Sequence, residues 1–124
     1  MKKIVSILAL FFICNIKAYG HPPADMTATY DTDNNSITVS LRHRTFDGNS
    51  HRISRYEVNI NGEALEFNKD NQDGNTPTET LSLEEFEIPE NAKITITAKC
   101  SLFGSLTRDF YFSNASLIED DQDY

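Results

Sequence analysis

Beyond the N-terminal apolar run, four side chains carry imidazole or thiol donors that bind transition metals: His21, His43, His51 and Cys100. Imidazole nitrogen and thiolate sulfur are the usual protein ligands for iron, copper and zinc. The other cysteine, Cys14, lies in an apolar run near the N-terminus. If that run is removed, no intramolecular disulfide can form. Cys100 is then buried and inert, paired between chains, or bound to metal. Taken singly, His43 reads as a rim histidine with its hydrogen bonds satisfied, Cys100 as a small core residue and His21 as part of a flexible end. Taken as a group they read as a metal site, provided the fold brings them together.

The elements that must position them are short strands. Ser36 to His43 alternates, with Ile37, Val39 and Leu41 on one face and Thr38, Ser40 and Arg42 on the other, so His43 continues the inward row. Ile53 to Ile60 puts Tyr56, Val58 and Ile60 inward and runs into Asn61-Gly62, two positions that tolerate positive φ and so signal a tight hairpin back through Ala64 to Phe67. Lys93 to Cys100 alternates again, with Ile94, Ile96 and Ala98 inward and Cys100 next in that row. Met26 to Tyr30, Thr78 to Phe86 and Leu106 to Phe112 complete the set, separated by turn clusters such as Asp31 to Asn35. The pattern predicts an all-β, immunoglobulin-like β-sandwich of about seven strands. In that topology the second and sixth strands finish at one end and the first begins there. All three histidines and Cys100 are expected at that rim, with His43 and Cys100 directed between the sheets.

The N-terminus has the form of a secretory signal. Lys2 and Lys3 precede the run Ile4 to Cys14, and Ala18-Tyr19-Gly20 offers small residues at the cleavage site. The run is too short for a membrane span. The expected organisation is a signal peptide over 1–20, one domain over 21–114 and an acidic tail over 115–124, in a secreted or periplasmic protein with no membrane attachment after cleavage. Removing 1–20 leaves 8 basic residues against 19 acidic, a net charge of −11. A surface of that sign disfavours nucleic acid and anionic membranes as partners; its plainest use is solubility.

His43, His51-Arg-Ile53, the Asn61-Gly62 hairpin and Ala98-Lys-Cys100-Ser-Leu-Phe103-Gly104 together resemble the iron domain of superoxide reductase and desulfoferrodoxin. That family has an immunoglobulin-like fold and binds iron at a rim through one axial cysteine and four equatorial histidines. The resemblance implies that His43 stands for the histidine of the family's His-Pro, although Arg44 replaces the proline. His51 stands for that of His-Tyr-Ile, with Arg52 in place of tyrosine. Cys100 stands for the axial thiolate, Gly104 for the glycine after it and His21 for the early histidine. Phe103 occupies the place of the last histidine and cannot bind metal. The Glu-Lys pair that precedes the early histidine in many members is absent. The resemblance thus implies an iron site lacking one histidine, with superoxide as small-molecule substrate, an electron donor as partner and oxidoreductase activity if the site is active. Zinc or copper is the alternative cofactor, because fewer ligands favour tetrahedral geometry.

Two other readings stand beside this one. Were His21 the new N-terminus, its α-amino group and ring would chelate copper, with His43 or His51 completing the site. The chain is otherwise a non-catalytic immunoglobulin-like binding module. No glycine-rich phosphate loop or Gly-x-Ser-x-Gly nucleophile motif is present, and the Asp70 to Asn75 loop does not fit calcium-loop spacing.

Overall fold

The computed structural model describes residues 22–102 and 104–120. Eight strands form two antiparallel sheets and, among the described residues, there is no helix. In chain order they are β1 (Ala24–Asp31), β2 (Ser36–Arg42), β3 (Ile53–Ile60), β4 (Glu63–Asn68), β5 (Thr78–Ser82), β6 (Lys93–Cys100), β7 (Ser105–Ser113) and β8 (Ser116–Glu119). One sheet has the order β1-β2-β5 and the other β4-β3-β6-β7-β8.

The alternating residues do what their period requires. Ile37, Val39, Leu41 and Leu81 from the smaller sheet and Tyr56, Val58, Ile60, Ile94, Ile96, Phe110 and Phe112 from the larger form one buried cluster between two layers. Asn61 and Gly62 both have positive φ, 51° and 95°, and close the tight hairpin joining β3 to β4.

Two boundaries differ from expectation. Strand β5 stops at Ser82 rather than Phe86 because Glu84 turns to φ 55° and the Phe86 N–H bonds back to the Leu83 carbonyl. The segment expected to begin an acidic tail instead contributes β8, which pairs Ser116 with Ser113 and Leu117 with Phe112. The turn between these strands is Asn114-Ala115, with φ of 51° and 58°. An alanine there hides the hairpin from a reading based on Asn-Gly. The expected signal peptide, His21 and Phe103 lie outside the described residues.

Candidate metal centre

Strands β2 and β6 belong to opposite sheets and end at the same rim. There His43, just past β2, and Cys100, the last residue of β6, meet with Nε2 to Sγ at 3.2 Å. His43 is 1% exposed, continuing the inward row as the alternation requires, and Cys100 is half-buried. His51 packs edge-on against His43, with ring centroids 4.8 Å apart and planes at 86°. One ligand atom from each of the three residues lies within 4.8 Å of the others.

His51 reaches this place on a stitched loop. Its N–H donates to the Asp47 carbonyl (2.8 Å), and its own carbonyl accepts from the Thr45 hydroxyl. The Asp47 carboxylate accepts from the Asn49 N–H and the Ser50 hydroxyl, which hold its pKa below the ordinary value. Ser101, next to Cys100, ties the loop to β6: its N–H donates to the Arg52 carbonyl, while its hydroxyl accepts from the Arg52 N–H and donates to the Ser50 carbonyl.

Gln72 was not expected in the site, yet it orients the central histidine. It is 5% exposed in a loop that is otherwise mostly solvated. Its Nε2 donates to the carbonyls of His43 and Gly74, both at 2.7 Å, and its Oε1 accepts from the Ile53 N–H at 3.0 Å. These bonds fix which end of the amide is oxygen. His43 Nδ1, 2.7 Å from that oxygen, therefore carries a proton and donates. In the neutral ring the lone pair is then on Nε2, facing Cys100. A ring N–H held by an amide or carboxylate oxygen is the usual support of a metal-binding histidine. Gly48 makes room for this loop: the Gln72 N–H donates to the Gly48 carbonyl (3.1 Å), and a Cβ on Gly48 would stand 2.0 Å from the Gln72 carbonyl oxygen. Nothing in the periodicity of a polar loop marks a glutamine as buried. Gly48 within Asp47-Gly48-Asn49 reads as an ordinary turn glycine, whereas its real constraint is space.

The donor set fits one ion. Three atoms no more than 4.8 Å apart share a point within 4.8/√3, about 2.8 Å, of each. Metal–nitrogen and metal–sulfur bonds of about 2.0–2.3 Å need a contraction of less than an ångström. The observed Nε2 to Sγ distance of 3.2 Å lies between the ligand–ligand separations of about 3.1 Å at a right angle and about 3.6 Å at the tetrahedral angle that those bond lengths give. A thiol nucleophile with His43 as base and Gln72 as orienter is the other chemistry the pair allows. That dyad leaves His51 without a role, although His51 Nε2 is buried and has no hydrogen-bond partner among the described residues. A buried ring nitrogen with no partner is costly, and a metal would relieve it.

The structure thus brings together three of the four residues expected to bind metal, and the fourth, His21, lies outside the described residues. No protein-family model, curated protein or solved structure matches this chain.

Proposed function

We propose that this is an exported protein holding one transition-metal ion, iron in the first place, through His43, His51 and Cys100 with His21 as fourth ligand, in a reduced version of the superoxide reductase centre. The observation that carries the reading is the buried, unpartnered Nε2 of His51 in a residue whose ligand atom lies within 4.8 Å of those of His43 and Cys100. Support for the family likeness comes from the strand order, β1-β2-β5 facing β4-β3-β6-β7-β8, which is the order of an immunoglobulin-like sandwich with β8 added at one edge, and from the donors' location at the rim where β2 and β6 end. The chemistry such an ion would supply is one-electron reduction of superoxide to hydrogen peroxide with uptake of two protons, an external donor restoring the ferrous state. In this reading Gln72 orients His43 for ligation, and Phe103 in place of the family's last histidine leaves the ion with fewer nitrogen ligands.

Elemental analysis of protein purified without oxygen tests the reading. One equivalent of iron is expected, with a visible thiolate-to-iron(III) band on oxidation that Cys100→Ser abolishes. Zinc or copper(I) would give a colourless protein with stoichiometric metal. Phe103→His is expected to tighten iron binding. If neither the wild type nor Phe103→His retains stoichiometric metal under reducing conditions, the domain is a binding module and Cys100 a packing residue.

A further inference from the structure

The chain is acidic overall, yet half of its positive charge after position 20 is gathered in one place. Of the eight basic residues after position 20, four line a single cleft of about 330 Å³ on the larger sheet near Cys100: Arg52, Arg55, Lys69 and Lys99. Asp70 is the one acidic residue in its wall. Two of the cations have carboxylate partners outside that wall. Lys69 pairs with Glu79 at 3.0 Å, and Arg55 lies 3.7 Å from Glu66. The other two have none among the described residues. Arg52 is held by backbone carbonyls instead, through Nε to Lys69 (2.9 Å) and Nη1 to Asn49 (2.7 Å), so its guanidinium is fixed while its charge is uncompensated. The Lys99 ammonium makes no ion pair or hydrogen bond among the described residues.

Two features of the strands are unfavourable as they stand. Arg55 on β3 and Lys99 on β6 are direct cross-strand partners, and like charges in that position repel. Arg55 Nε is buried and has no hydrogen-bond partner among the described residues, which leaves a charged group's donor unsatisfied. Beside Arg55 the β3–β6 pairing is irregular, with a register shift between Ile53 and Arg55. Such irregularities re-aim side chains near sites. One bound anion would offset the repulsion between Arg55 and Lys99 and compensate Arg52.

We propose that this cleft is an oxyanion-binding site, formed by Arg52, Arg55 and Lys99, that takes a phosphate- or sulfate-type group. The guanidinium fork and the ammonium are the side chains that recognise such oxygens. Cys100 stands in the wall of this cleft as well as in the metal centre, but the three cations that form the site are not metal ligands and binding requires no metal.

The test is a titration of the full exported chain with inorganic phosphate at low ionic strength, followed by amide chemical shifts, with sodium chloride at matched ionic strength as the control. Saturable shifts centred on residues 52–55 and 99–101 are expected with phosphate and not with chloride. Lys99→Gln is expected to weaken binding about tenfold, the loss of one charge-assisted hydrogen bond. Lys93→Gln, at the other end of the same strand, is expected to leave it unchanged. Lys99→Glu should abolish binding and raise the melting temperature, because it turns a repulsive cross-strand pair into an attractive one. Glycerol phosphate binding as tightly as inorganic phosphate would assign the whole affinity to the phosphoryl group; tighter binding would assign the remaining volume to its organic part, and either result supports the site. Shifts that are linear in phosphate, equal to those in chloride, or insensitive to Lys99→Gln would overturn the proposal. The titration is repeated on chelator-treated protein. Binding should persist, and its loss would mean that the anion sits on a metal and would overturn the proposal. Failure of the metal reading leaves this result unaffected.

Discussion

Replacing Gln72 with leucine removes an amide but keeps nearly the same volume, so its effect isolates hydrogen bonding. Gln72 makes four bonds, two through Nε2 and two through Oε1, all within 3.0 Å, at 5% exposure. At a net value of about 0.5–1.5 kcal/mol each, their loss costs about 2–6 kcal/mol, with the upper half favoured because four partners are left behind in a buried place. That is a large share of the 5–15 kcal/mol that holds a typical domain together, and corresponds to a fall in melting temperature of roughly 15–30 °C for about 4 kcal/mol in a domain near 100 residues. Urea unfolding of the metal-free protein measures this without interference from ligation. A second loss is separate: Nδ1–H loses the oxygen that fixes it, and metal affinity should fall about 10- to 100-fold, as it does when the outer partner of a ligating histidine is removed. Competition with a chromophoric chelator reads that number. A loss of stability below about 1 kcal/mol would refute the burial argument. Unchanged metal affinity in a folded Gln72→Leu protein would refute the claim that this glutamine aims Nε2 at the ion.

Gly48→Ala should destabilise the chain by about 1–3 kcal/mol, as overpacking does, and weaken metal binding with it, because the new methyl meets the Gln72 carbonyl oxygen; thermal unfolding and the same chelator competition follow both effects. Tyr56→Phe should be neutral or stabilising by about 1 kcal/mol at pH 7, since the Tyr56 hydroxyl is buried with no partner among the described residues. The same substitution should flatten the alkaline limb of stability. Burial first, and the charge of Glu79 second, raise the Tyr56 pKa above its ordinary 10.0 in the folded state, so above pH 10 the unfolded chain releases a proton that the folded chain keeps. Stability present below that pH is lost as pH rises, by up to about 1.4 kcal/mol per unit for one proton, and urea midpoints at pH 8 to 11 compare the two proteins. The intact mass of exported protein should lack residues 1–20; a mass that includes them refutes cleavage after Gly20, and a start beyond His21 removes that residue as a ligand.

Much of the site was legible because its two central donors sit on alternating strands. Leu41 and Ala98 point inward, so two residues further on His43 and Cys100 must as well, and a sandwich that returns β2 and β6 to one rim makes them neighbours. The bounds of β3 and β6 agree with the alternation residue for residue. Legibility ends where conformation depends on a partner rather than on a pattern. Leu83 and Phe86 are apolar and pack on the core, and read as strand, yet the chain turns between them at Glu84. Strand β8 offers Leu117 and Ile118 against an acidic end that suggested a tail. Gln72 is buried by contacts to His43 and Ile53, far away in sequence, and no local property of a polar loop encodes that. The basic cleft is likewise a product of strand pairing: Arg55 and Lys99 are 44 positions apart and become neighbours through the β3–β6 ladder.

The separation of the donors along the chain has a consequence for the order of events in assembly. His43 lies 29 residues from the glutamine that fixes its tautomer and 57 from the sulfur it faces. His43 and His51 are eight positions apart, but no short segment of the unfolded chain adds the thiol to them, so an incomplete chain offers an ion at most two imidazoles or a lone thiol. Closing loops of that length precedes any reward from the contacts they bring, and the sheets must pair before the pocket exists. If the centre holds an ion, its capture therefore follows the pairing of the sheets that builds the pocket. The ion would stabilise the finished protein and slow its unfolding without accelerating its formation. Which metal fills the site is then decided by what is available wherever folding is completed, rather than where the chain is made.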